Sequence, residues 1–151
     1  MSDHFLSLIP EQPNYVPSTK AQSRALEMFR SFVPDALNVE ACVTEHVEFI
    51  DQGENFERLL CPACDTEVDA ESWQQWMDKA YESQFSDLSI KMPCCGHMTD
   101  LNSLRYEWPA GFARFVLRAE SPNLGDWLAA DKQSVLEEIL GCKLRQIMTR
   151  V

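Results

Sequence analysis

The chain is 151 residues long, the size of one domain, and long enough to bury a hydrophobic core without disulfide staples. No run of about eighteen apolar residues occurs, and Met1-Ser2-Asp3-His4 lacks the basic and apolar regions of a secretory signal, so a cytoplasmic protein without a membrane span is expected. The net charge of −11 is uneven: residues 1–103 carry 18 acidic against 6 basic side chains, and residues 104–151 carry 6 against 7. Such a field repels nucleic-acid phosphates and anionic lipid and attracts basic proteins, besides favouring solubility.

Residues 1–18 hold Pro10, Pro13 and Pro17, which forbid helix and predict an extended arm anchored through Tyr15 and Val16. Thr19 with Gln22 forms a capping box, and Ala25, Leu26, Phe29, Phe32 and Val33 recur at helical spacing until Pro34. Val39, Ala41, Val43, Val47 and Phe49 then alternate with polar residues, the pattern of a strand with one buried face. A turn around Gly53 leads to a short strand over 56–60 that runs into Cys61.

Asp69 caps a second helix whose Trp73, Trp76, Met77, Ala80 and Tyr81 share a face. Strands are expected over 88–92, 104–108 and 112–119, the last two joined by the Pro109-Ala110-Gly111 turn. Asp131 opens a third helix that stops at Gly141, and residues 144–148 return as a strand. The expected fold is a single α+β domain over residues 1–151, a ferredoxin-like antiparallel sheet with helices on one face and a pair of zinc-ribbon-like knuckles, within residues 61–97, at one end.

The chemistry concentrates in those knuckles. Cys61-Pro62-Ala63-Cys64 has the two-residue spacing that lets one tight turn aim two thiolates at a single ion. Pro93-Cys94-Cys95-Gly96-His97 supplies the other half, and each half follows a predicted strand. Two ligand sets satisfy four-coordination: Cys61, Cys64, Cys94 and Cys95, favoured by the Cys-Gly pair, or the same set with His97 in place of Cys95, favoured by spacing. Either set closes a tetrahedral Zn2+ site, which contributes folding free energy and leaves no position for substrate. A thioredoxin-like redox pair would sit at a helix start, whereas the helix here begins only at Asp69. Cys42 and Cys142 lie in apolar contexts and read as structural.

His46-Val47-Glu48 with Cys61 and Cys64 has a faint zinc-deaminase flavour, but Pro62 follows the first cysteine instead of preceding it and His46 sits in an alternating strand. Arg105, Arg114, Arg118, Lys143, Arg145 and Arg150 offer a basic face, yet the acidic remainder argues against nucleic-acid binding. Salt bridges to the surplus acids account for Arg114 and Arg118 more simply.

The run Asn55-Phe56-Glu57, Cys61-Pro62-Ala63-Cys64, Pro93-Cys94-Cys95-Gly96, Leu101-Asn102, Trp108-Pro109-Ala110-Gly111-Phe112-Ala113-Arg114-Phe115, Ser121-Pro122-Asn123 and Leu140-Gly141-Cys142-Lys143-Leu144-Arg145-Gln146-Ile147 resembles a family of small uncharacterised bacterial proteins. The resemblance implies a zinc-ribbon-bearing α+β domain without an assigned enzymatic activity. It also implies Cys94 and Cys95 as ligands, because the family's Cys-Cys-Gly element often lacks a following histidine.

A closed metal site and an acidic surface together point to a non-catalytic, zinc-stabilised protein-binding module, an inhibitor or immunity-type protein that covers a basic partner. Glu40, Glu45, Glu48, Asp51, Glu54 and Glu57, around the first predicted hairpin, are the expected contact residues. The alternative is a small-molecule enzyme with a pocket beside the aromatic strand 104–108 or the Trp73–Trp76 face, where Glu107 is the acid at hand.

Overall fold

The computed structural model describes residues 3–151. The chain runs β1 (His4–Pro10), α1 (Thr19–Phe32), β2 (Asn38–Ile50), β3 (Leu59–Leu60), α2 (Ala70–Glu82), β4 (Ser89–Lys91), β5 (Met98–Asp100), a 3-10 turn (Leu101–Ser103), β6 (Arg105–Tyr106), β7 (Gly111–Glu120), α3 (Ala130–Leu140) and β8 (Leu144–Arg150). Four strands make the main sheet in the order β2-β7-β1-β8, every neighbouring pair antiparallel. Two-stranded pairs β3-β6 and β4-β5 complete an α+β architecture.

The inner position of β1 departs from the expected arm. His4 to Pro10 pairs along its length with Arg150 to Leu144, and Phe5 to Leu8 pairs with Glu120 to Leu117 on the other side. A strand buried on both faces shows no alternation: Leu6, Ser7, Leu8 and Ile9 are all at most 1% exposed, so the segment reads as an apolar run cut short by Pro10. Only residues 11–18 are irregular, and Tyr15 fastens them by donating its hydroxyl to the Leu140 carbonyl at 2.6 Å.

Helices α1 and α3 pack together on one face of this sheet. Phe29, Ala25, Leu136 and Leu140 meet Leu6, Leu8, Phe115, Leu117 and Leu144 in one cluster, each large side chain contributing about 2 kcal/mol through burial. The cap of α1 is Ser18, whose hydroxyl accepts from the Ala21 N–H, while Gln22 reaches back to the Pro17 carbonyl. At α3 the cap position is Ala129, and Asp131 sits in the first turn.

Strand β2 carries a bulge that alternation conceals. Between Val43, opposite Phe115, and Glu48, opposite Ala113, the register slips; Val43 is left 45% exposed and Val47 is buried. Beyond the slip, β2 turns towards the second half of the molecule, and the chain leaving it closes onto the edge of β8. There Glu54 N–H donates to the Arg150 carbonyl at 2.8 Å and Arg150 N–H to the Gln52 carbonyl at 3.2 Å. Gly53 has a φ of +57° at this crossing, and a Cβ would lie 2.2 Å from the Arg150 oxygen, so only glycine fits.

Residues 59–110 form a lobe inserted between β2 and β7. Met77 and Ala80 of α2 join Leu59, Cys61, Ile90, Met92, Leu101 and Tyr106 in a second cluster, which reaches the sheet through Val47 and Phe112. Helix α2 therefore belongs to the lobe and not to the α1–α3 layer, and the expected strand 56–60 shrinks to Leu59–Leu60 with Phe56 45% exposed. Arg145 pins the lobe to β8, donating to Asn102 O at 3.0 Å and Ala110 O at 2.8 Å while pairing with Glu11 at 2.7 Å.

Candidate metal centre

The two knuckles are built alike. In the first, Cys61 N–H donates to the Thr66 carbonyl at 2.9 Å and Asp65 N–H to the Cys61 carbonyl at 3.0 Å, with Asp65 at φ +61°. In the second, Met92 N–H donates to the His97 carbonyl at 2.9 Å and Gly96 N–H to the Met92 carbonyl at 2.8 Å, with Gly96 at φ +74°. The loops thus match residue for residue: Met92 stands at the position of Cys61, Pro93 at Pro62, Cys94 at Ala63, Cys95 at Cys64, Gly96 at Asp65 and His97 at Thr66. The reversal at the fifth position needs a left-handed residue, which glycine supplies freely and aspartate at modest cost. Arg105, at the start of β6, forms an ion pair with Asp65 that braces the first turn.

This repeat brings four sulfurs together. Cys61, Cys64, Cys94 and Cys95 lie within 4.8 Å of one another, close enough to hold a metal ion. Sγ separations are 3.3 Å for Cys64–Cys94, 3.8 Å for Cys61–Cys95 and 3.9 Å for Cys94–Cys95, far beyond the roughly 2.05 Å of a disulfide. Cys61 is fully buried and the other three are exposed. His97 is not in the cluster; its influence is through the backbone N–H, which lowers the Cys95 pKa.

Hydrogen bonding divides the thiols. The Thr66 hydroxyl, 3.1 Å from the Cys64 sulfur, and then the Thr66 N–H draw the Cys64 pKa down to about 6. The Cys94 thiol is pushed up to about 12 by its hydrogen bond with Cys64, 3.3 Å away, and by desolvation. At Cys95 the His97 N–H pulls the pKa down, while desolvation and the neighbouring thiols push it up, with a net rise. Such a cluster holds its remaining protons tightly until a cation displaces them.

Thr66, Met92 and Arg105 escape a reading by ligand spacing alone. The available signal for the repeat was the shared Pro-x-Cys frame, Pro62-Ala63-Cys64 against Pro93-Cys94-Cys95, which aligns Cys64 with Cys95.

The six nominated acids are all exposed: Glu40, Glu45 and Glu48 on β2, an edge strand of the main sheet, and Asp51, Glu54 and Glu57 in the segment after it. Two of them have structural work, since Asp51 accepts from the Gly53 N–H at 2.8 Å and Glu54 faces Arg150 at 3.8 Å. Cations of the C-terminal part are likewise engaged. Arg114 donates to the Thr44 carbonyl, Arg118 lies over the Phe5 ring and near Ser7 Oγ, and Lys143 is 4.0 Å from Glu137. Arg114 and Arg118 therefore meet carbonyl, hydroxyl and ring partners where salt bridges were expected.

Beside the aromatic strand lies a cavity of about 390 Å³ lined by Phe49, Phe56, Leu59, Trp73, Gln74 and Tyr106 among others. Trp73 donates its indole N–H to the Tyr106 oxygen at 3.3 Å, and Tyr106 donates to the Leu101 carbonyl at 2.8 Å, so both polar groups are spent on structure. Glu107 is paired with Arg58 at 3.2 Å. No helix among the described residues is long and apolar enough to cross a membrane.

No family model matches the chain, and no curated protein matches it. Among solved structures, the chain is similar to one from the crystal structure of a Csm1-Csm4 cassette in complex with pppApApA, over 99% of this chain and 71% of that one, at 11% identity and a TM-score of 0.26. A likeness at that level carries no argument about fold or function.

Proposed function

We propose that this chain is a non-catalytic protein-binding module stabilised by a structural zinc ion, an inhibitor or immunity-type protein for a basic partner. The observation that carries the zinc reading is the four-sulfur cluster. Thiolates around tetrahedral Zn2+ at about 2.3 Å stand about 3.8 Å apart, and the separations of 3.3, 3.8 and 3.9 Å bracket that value. All-thiolate donors suit Zn2+ and disfavour Mg2+ or Ca2+. Four protein ligands leave no position for a water, so the ion would hold the lobe together instead of supplying chemistry.

The strand order β2-β7-β1-β8, with α1 and α3 on one face, supports a ferredoxin-like sandwich assembled from β1-α1-β2 and β7-α3-β8. The zinc lobe is then an insertion between its second and third strands, and the resemblance to the bacterial zinc-ribbon proteins is consistent with that layout.

Support for the partner comes from β2. An edge strand leaves one row of backbone groups unpaired, and Glu40, Glu45 and Glu48 give this edge a negative field suited to a basic protein. Affinity capture at low salt on the immobilised zinc-loaded chain tests the reading. The expected result is a stoichiometric basic protein held by the wild type and lost from Glu40→Lys/Glu45→Lys/Glu48→Lys. No partner at low salt, or one held equally by the variant, overturns it.

A further inference from the structure

The register of the two knuckles distinguishes one sulfur from the other three. Cys61 accepts a hydrogen bond from the Ala63 N–H at 3.4 Å, Cys64 stands 3.1 Å from the Thr66 hydroxyl, and Cys95 holds the place of Cys64 in the second loop, whereas the Gly96 N–H, two residues after Cys94, is spent on the Met92 carbonyl at 2.8 Å. Cys94 occupies the place that alanine fills in the first loop, and its contacts are with other sulfurs: Cys64 at 3.3 Å and Cys95 at 3.9 Å. Peptide N–H groups draw electron density from a coordinated thiolate and hold it in place. The ligand without one is the better nucleophile and the easier to detach. Cys94 is also exposed, whereas Cys61 is sealed in the core.

We propose that Cys94 is a modification site, the thiolate through which peroxide-class oxidants and soft electrophiles attack the metal-loaded centre, with Cys64 as its resolving partner. This rests on the four-thiolate zinc reading. With hydrogen peroxide, the Cys94 sulfur attacks one oxygen and the O–O bond breaks, giving a Cys94 sulfenic acid and hydroxide, which takes a proton to become water. The Cys64 thiolate then attacks the Cys94 sulfur, the S–O bond breaks, and a second hydroxide leaves and is protonated. Two electrons pass from the sulfur pair to peroxide, two protons are consumed, two waters form, and Zn2+ departs from the remaining pair Cys61 and Cys95. The 3.3 Å approach of Cys64 favours this disulfide over one with Cys95.

The test uses the full chain purified anaerobically, its metal measured first, then pulsed with limiting iodoacetamide and mapped by peptide mass. Cys94 is expected to be alkylated about tenfold faster than Cys61, Cys64 or Cys95, the factor set by one charge-assisted hydrogen bond. Limiting peroxide should release one zinc per Cys64–Cys94 disulfide, with zinc uptake restored by dithiothreitol. Equal labelling of a zinc-loaded centre, a faster Cys64 or Cys95, or a disulfide that omits Cys94 overturns this inference and leaves the structural zinc standing. A folded wild type that carries no metal overturns both.

Discussion

Arg145→Met removes a polar contact that joins the lobe to the main sheet. The Arg145 side chain is 21% exposed, and its guanidinium makes charge-assisted bonds to Asn102 O at 3.0 Å, Asn102 Oδ1 at 3.2 Å and Ala110 O at 2.8 Å. It also grips the Glu11 carboxylate, at 2.7 Å through Nη2 and 3.4 Å through Nε. Hydrogen bonds from a charged donor contribute about 1.5 to 3 kcal/mol each, so the two backbone acceptors alone account for about 3 kcal/mol. Glu11 is 44% exposed, which screens its share to well under 1 kcal/mol. Methionine keeps the aliphatic stem but none of the donors, and the expected loss is about 3 to 4 kcal/mol. Arg145→Lys should recover less than half, because an ammonium cannot span acceptors arranged for a planar fork. Urea unfolding at fixed zinc measures both. A loss below about 1 kcal/mol for Arg145→Met, or full rescue by lysine, would refute the reasoning that this junction couples the two parts.

Gly53→Ala places a Cβ against the Arg150 oxygen and fixes an L-residue at φ +57°, which together should cost about 3 kcal/mol of stability in urea unfolding; a near-neutral change would mean that the β8 closure is not stabilising. Tyr106→Phe strips the Leu101 carbonyl of its donor and should cost about 1 to 2 kcal/mol at neutral pH. Burial holds the Tyr106 pKa up at about 12, so the fold favours the neutral phenol: its contribution is whole below about pH 10, the unfolded value, and is lost as pH rises to about 12. Wild type should therefore lose stability across that alkaline window more steeply than Tyr106→Phe, and parallel pH curves for the two would count against the burial argument.

Legibility in the sequence tracked periodicity. Helices α1 and α2 announce themselves through a cap and one apolar face at helical spacing, and strands β7 and β8 through the turns before them at Pro109-Ala110-Gly111 and Gly141. Strand β1 did not, since Leu6 to Ile9 is buried on both sides and has no period to detect. Placing α2 beside the other helices followed from missing β1: without it, the β-α-β unit at the start of the chain is invisible, and the nearest helix is paired with the wrong strands. The bulge in β2 was hidden because Val43 and Val47 keep the alternation while the backbone between them slips. At the candidate metal centre, spacing led to the cysteines but by itself favoured His97, and the Cys95-Gly96 pair was the signal that put Cys95 ahead. The backbone pairing of Met92 with His97 starts the second knuckle at a methionine and puts Cys95 in the place of Cys64, the alignment that the Pro-x-Cys frame also gives.

Metal analysis of the anaerobically purified protein tests the central claim most directly, run on wild type and on Cys61→Ser, Cys95→Ser and His97→Ala. The expected result is close to one zinc per chain in wild type and in His97→Ala, and little or none in the two cysteine variants. A folded, zinc-free wild type, or zinc lost on removing His97 but kept on removing Cys95, would contradict the four-thiolate centre.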